Sequence, residues 1–194
     1  MTETAPTALP PELSVGLRPG LPIVRAGHPA LRRPAAPVAD PTAPEIAGLA
    51  AQMIASLREA GGIGLAAPQV GVELRLVMFF VPPHRVTKRA DDPPCDLTIL
   101  CNPVIEPLGE ATAEDWEGCL SMPGLRGRVD RWDRIRYSGL LLDGTELVRE
   151  VGGTHARVVQ HECDHLDGIL YPQRMKNMRS LVYHEELIAA GGLT

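Results

Sequence analysis

The first sustained helical pattern falls at 45–60, EIAGLAAQMIASLREA, where Ile46, Leu49, Met53, Ile54 and Leu57 recur three and four residues apart. That spacing puts five apolar side chains on one helical face, so the segment predicts an amphipathic helix lying on a core. Pro44 suits its first turn, Thr42 or a neighbour is the candidate cap, and Gly61-Gly62 is the predicted stop. The period then changes. Residues 72–81, VELRLVMFFV, read as a largely buried strand. The polar stretch 82–96 predicts a loop. Further strands are expected at 97–105, broken by Asn102-Pro103, and at 111–117, 127–137, 138–142 and 146–151, with Asp143-Gly144 as a hairpin turn between the last two. A second helix is predicted over 154–166, capped by Thr154 and stopped by Gly168. A third is predicted over 177–190, from Asn177 to Gly191-Gly192. Helix, many strands, then helices is an α+β order with antiparallel or mixed sheets, not a series of βαβ units.

Composition narrows the picture. The chain has 194 residues, which suits one domain. Residues 1–20 are rich in proline, threonine and alanine without a period, and predict a flexible tail; residues 21–194 are expected to form a single catalytic domain. A net charge of −5 argues against a general DNA or anionic-membrane binder, and no stretch of 18 apolar residues offers a spanning helix. The four cysteines, Cys95, Cys101, Cys119 and Cys163, form no CxxC pair, which fits a reducing compartment better than a disulfide framework. The N-terminus carries Glu3 and Glu12 and lacks a basic segment followed by an apolar one, so no secretory signal is predicted.

The sharpest chemical signal is His161-Glu162-Cys163-Asp164-His165. On a helix, residues four apart share a face, so both imidazoles can reach one metal ion. Glu162 sits one step round, where it can act on water beside the ion as a general base. A hydrolytic site needs a third protein ligand. The cysteines, His28, His84, His155, His184 and many carboxylates are all candidates, and spacing does not choose among them. Cys163 faces away from both histidines and reads as a packed thiol. The stretch Gly62-Ile63-Gly64-Leu65-Ala66-Ala67-Pro68-Gln69 leaves a helix, so it is not a dinucleotide fingerprint. Its small residues would admit a substrate backbone, and the glutamine amide can donate to an oxyanion.

GIGLAAPQ at 62–69, EGCLS at 117–121 and HECDH at 161–165 together resemble the three motifs of the peptide deformylases, in the family's order. LPIVRAGHPALRRPAAPV upstream and HLDGILYP after the third motif extend the likeness over about residues 21–190. The resemblance implies antiparallel sheets wrapped around the HExxH helix. It implies removal of the formyl group from N-formylmethionyl nascent peptides. It makes Cys119, His161 and His165 metal ligands, Glu162 the general acid/base, and Gln69 and the Leu120 backbone N–H the oxyanion donors. Ile63, Gly64, Gly118 and Arg126 line the substrate groove, and Glu117 with Arg131 forms a supporting ion pair. Fe(2+) is the implied ion, with Ni(2+), Co(2+) or Zn(2+) as substitutes. The implied setting is the bacterial cytoplasm or an organelle. A transient ribosome contact is expected, with Arg174, Lys176 and Arg179 as a candidate basic patch; neither membrane nor DNA is expected as a partner. His155 departs from the bulky apolar residue expected near the methionine pocket: either methionine affinity differs or His155 faces outward. The alternatives are an HExxH zinc peptidase and a non-catalytic deformylase-like binding protein. The upstream cysteine motif argues against the first, and the presence of Glu162 and Gln69 against the second.

Overall fold

The computed structural model describes residues 19–192, so all but the end of the expected tail lies outside the described residues. In chain order the regular elements are α1 (Pro44–Ala60), β1 (Gly64–Ala66), β2 (Leu76–Val81), β3 (Cys95–Pro107), β4 (Thr112–Cys119), β5 (Met122–Trp132), β6 (Arg134–Leu140), β7 (Glu146–Gly152), α2 (Gly153–Leu166), β8 (Val182–Tyr183) and α3 (His184–Ala189). Two sheets form, in the orders β1-β2-β3-β6-β7 and β4-β5-β8, and every paired strand runs antiparallel to its neighbour. Helix α2 packs against strands of both sheets. The expected α+β arrangement around the HExxH helix is the one observed.

Strand β2 shows why its sequence is apolar throughout. Val77, Phe79 and Val81 join Leu100, Ile135, Tyr137, Val159 and Leu166 beneath α2. Leu76, Met78 and Phe80 face the other way, onto Ile46, Met53, Ile54 and Leu57 of α1. A strand covered on both faces has no polar side to show.

Several boundaries differ from the expected ones. The strand expected from residue 72 begins at Leu76, because the preceding residues turn: Leu74 N–H donates to the Val72 carbonyl and Arg75 N–H to that of Ala36. Asn102-Pro103 does not break β3. The strand absorbs it as a bulge, with Asn102 at φ 52° and its amide bonded to both backbone groups of Val38. The expected strand 127–137 is two strands parted at Asp133, because β5 belongs to one sheet and β6 to the other. The hairpin at Asp143-Gly144 is present, with Gly144 at φ 83°.

Neither predicted N-cap holds. Thr42 bonds Asp40 and leaves α1 without a side-chain cap, while Gly61 ends the helix in the left-handed conformation. Thr154 donates its hydroxyl to the Arg85 carbonyl instead of capping α2. The first turn of α2 is served from a distance: Asp92 accepts the His155 N–H at 2.9 Å. The predicted third helix is divided into a 3-10 turn at Met178–Ser180, strand β8 and α3, because Val182 and Tyr183 pair with Arg126 and Leu125 of β5.

Candidate active site

His161 and His165 lie on one face of α2, and Cys119 ends β4. One donor atom from each lies within 4.8 Å of the others. The two imidazoles meet edge to face with centroids 5.0 Å apart, and Cys119 Sγ is 3.4 Å from His165 Nε2. A thiol and two imidazoles make a donor set that suits a divalent transition ion, and three protein ligands is the number that catalytic sites use.

Around these donors the fold builds a buried charge network. Glu117 Oε2 lies 2.8 Å from His161 Nδ1, which fixes the proton there and turns Nε2 toward the cluster. Arg131 donates to both Glu117 oxygens at 2.8 and 2.9 Å and to Asp164 at 2.5 Å. Arg174 closes on Asp164 at 2.7 Å. Burial alone would raise the Glu117 pKa; the hydrogen bonds from Arg131 and His161 overcome it and hold the carboxyl well below the usual range.

Glu162 has the opposite surroundings. It is buried, its Oε2 has no hydrogen-bond partner among the described residues, and burial pushes its pKa up to about 7. It lies against Gly64: a Cβ there would sit 2.6 Å from Glu162 Cδ and 2.8 Å from Cγ. The loop's second glycine is therefore required by the carboxylate behind it. Gln69 stands in the 3-10 turn Ala67–Val70 with Oε1 accepting the Ala66 N–H at 2.8 Å. That bond orients the amide, so Nε2 faces Cys119 Sγ at 3.4 Å and Ser121 Oγ at 3.3 Å.

The sequence model of polypeptide deformylases matches residues 21–180. The chain belongs to the polypeptide deformylase family. It is 50% identical over 165 residues to peptide deformylase 1 of Bordetella pertussis, covering 85% of this chain and 93% of that protein. Peptide deformylase 1 of Nitrosomonas europaea is 46% identical over 166 residues, covering 86% and 93%. Among solved structures, the Met-Ala-Ser-bound class I type b peptide deformylase of Acinetobacter baumannii superimposes with a TM-score of 0.72 at 34% identity, over 80% of this chain and 98% of that one. The actinonin complex of the Synechococcus elongatus deformylase gives 0.73 at 32% identity, over 90% and 89%. The activity of this deformylase chain is thus that of a metal-dependent hydrolase that removes the formyl group from new polypeptides.

In this deformylase the three sequence motifs converge from β1, β4 and α2. Leu120 occupies the turn after Cys119 and packs on Gly62, while Ile63 is half-buried between the two larger apolar clusters. Gly118 lies under the Arg126 guanidinium, whose Cζ would be 2.5 Å from a Cβ at that position. Glu117 and Arg131 are paired as expected, and Cys163 is buried with its thiol pKa raised by burial. His155 neither faces outward nor joins the metal cluster. It is buried beneath Phe79 and bonds the Tyr137 hydroxyl at 3.1 Å. The expected basic patch is largely neutralised, since Arg174 pairs with Asp164 and Lys176 with Asp130. Asp167 pairs with Arg75 at the surface.

Sequence reasoning missed Arg157. It donates to Glu117 Oε1 and to the Val129 and Ala113 carbonyls, at 2.9, 2.9 and 2.6 Å, and so ties α2 to β4 and β5. Its position four residues before His161, on the same helical face, was the available signal. Tyr171 was also missed. Its ring stacks on that of His161 at 6.3 Å, and its buried hydroxyl has no partner among the described residues.

Proposed function

We propose that Cys119, His161 and His165 hold one ferrous ion, and that residues 21–194 act as a single unit that deformylates N-formylmethionyl nascent peptides. The ion, when bound, supplies Lewis acidity toward the formyl oxygen and lowers the pKa of attacking water. Glu162 removes a proton from that water and delivers it to the departing amine; a carboxyl group held near neutrality is suited to both tasks. Gln69 Nε2 and the Leu120 N–H donate to the formyl oxygen as charge gathers on it. Strand β1 is the edge of its sheet, so Gly64 can offer backbone hydrogen bonds to an extended peptide whose later side chains point away. The proposed setting is the bacterial cytoplasm, with transient access to the ribosome.

The observation that carries this reading is the buried, unpartnered Glu162 carboxylate beside the thiol and two imidazoles. The test is formate release from a formyl-methionyl peptide by anaerobically iron-loaded protein, beside Glu162→Ala. Fast release by the wild type and collapse in a variant that still binds one ion support the assignment. A metal-loaded variant with undiminished turnover refutes the role of Glu162.

A further inference from the structure

Glu117 has more cationic partners than its charge needs. Its Oε1 accepts from Arg131 Nε at 2.8 Å and from Arg157 Nη1 at 2.9 Å. Its Oε2 accepts from Arg131 Nη2 at 2.9 Å and lies 2.8 Å from His161 Nδ1. Asp164, the other carboxylate of the network, is shared by Arg131 and Arg174. Among the described residues no further carboxylate pairs with these arginines. Three guanidinium groups thus meet two carboxylates directly behind His161, one cation more than neutrality requires. The coupling is strong because little water reaches it: the side chains of Glu117 and Arg131 are 4% and 5% exposed, and that of Arg157 is 12% exposed. Arg131 already holds both Glu117 oxygens, so what Arg157 adds to the carboxylate is charge. It draws electron density toward Oε1, away from the oxygen that accepts the His161 proton. A carboxylate behind a ligating imidazole raises the basicity of the ring, and one neutralised twice over raises it less.

We propose that Arg157 is a positioning residue that acts through Glu117: it restrains the pull of the carboxylate on the His161 Nδ1 proton, so that Nε2 donates more weakly and the ion it holds stays more Lewis-acidic and less tightly bound. This rests on the reading of His161 as a metal ligand given above. The other two bonds of Arg157, to the Val129 and Ala113 carbonyls, offer a purely structural account in which the side chain only ties α2 to β4 and β5. The two accounts predict opposite signs. Loss of a prop loosens the site and weakens metal binding. Loss of a restraint on Glu117 strengthens its hydrogen bond with His161 and tightens metal binding.

The experiment uses the full chain loaded with Zn(2+), as wild type and as Arg157→Gln, Arg157→Lys and Arg157→Met. Gln keeps hydrogen-bond donors without the charge, Lys keeps the charge, and Met keeps neither. One readout is the NMR resonance of the His161 Nδ1 proton in isotope-labelled protein, which moves downfield as its hydrogen bond to Glu117 strengthens. The other is Zn(2+) affinity, measured by competition with a chelator. In Arg157→Gln and Arg157→Met the resonance should move downfield and the affinity should rise by about tenfold, the low end of what groups behind a metal ligand control. Arg157→Lys should stay near the wild type in both. If Arg157→Met fails to fold, Gln against Lys decides. Weaker Zn(2+) binding in the uncharged variants, an unmoved resonance, or a series in which Gln matches the wild type and Lys does not would overturn the proposal in favour of the structural role. A wild-type His161 resonance that ignores added Zn(2+) would instead overturn the ligand reading beneath it.

Discussion

Gly64→Ala places a methyl group against the carboxylate proposed above as the general base, without altering its chemistry. Gly64 does not use a left-handed conformation, so alanine brings no backbone strain. The added Cβ would sit 2.6 Å from Glu162 Cδ, where ordinary contact begins at 3.4 Å. Oε1 would be closer still, so the carboxyl group must retreat by about 1 Å. The α2 backbone is fixed by packing against both sheets, so the side chain is what moves. A displacement of about 1 Å from a productive geometry costs about 10²-fold in rate. We expect kcat for formate release to fall by about that factor, with KM within about twofold and the same bound metal content. Glu162→Asp provides the check, since a shorter side chain withdraws the carboxylate from the methyl group. Adding Gly64→Ala to Glu162→Asp should cost far less than adding it to the wild type, a coupling that only direct contact explains. Unchanged kcat in Gly64→Ala, or the same penalty in both backgrounds, would refute the argument. A rise in KM alone would assign Gly64 to substrate pairing and not to spacing the base.

Arg131→Met should destabilise the fold by about 2–3 kcal/mol in urea unfolding, because it removes the guanidinium shared by buried Glu117 and Asp164 and leaves Glu117 to Arg157 and His161, and Asp164 to Arg174. Gln69→Leu should lower kcat by about 10²–10³ while metal content, measured by elemental analysis, stays the same. Burial and the Arg149 charge depress the His155 pKa below 6.5, against the opposing pull of the Pro93 carbonyl and Asp92. The unfolded chain therefore binds the proton more readily, and stability present above pH 6.5 is lost as pH falls toward the folded-state value. Urea midpoints at mildly acid and neutral pH should show that slope, and His155→Gln should flatten it.

The parts of the site that were legible in sequence share a property: each is encoded within a short contiguous stretch. His161 and His165 declare themselves by helical spacing, and Gln69 by its place after a glycine-rich turn. The joining of these stretches, with Cys119 as the proposed third ligand, came from family resemblance, because spacing along the chain does not encode proximity across 42 residues, the separation of Cys119 from His161. What was missed depends on contacts between distant elements. Thr154 has the side chain of a cap, yet Asp92 takes that task from a loop 63 residues away. Residues 177–190 have helical periodicity, but pairing with β5 outcompetes it around Val182, as tertiary context often does with propensity. Asp133 carried no turn signal that would reveal a change of sheet. Arg157 shares a helical face with His161, but nothing in the sequence puts Glu117 beside it.

The two edges of the five-stranded sheet differ in how they meet other polypeptides. The edge given by β1 is three residues long and runs directly into a 3-10 turn. Such a stub can hold a peptide end by a few backbone bonds, but it is too short to template a strand from another folded copy. At the far edge β7 runs for seven residues and would be long enough for self-association. There Glu146, Arg149 and Glu150 stand exposed, and a second copy pairing along it would have to desolvate them. The edge proposed to receive peptide is thus brief and the long edge is charged, and both features disfavour strand pairing with a second copy.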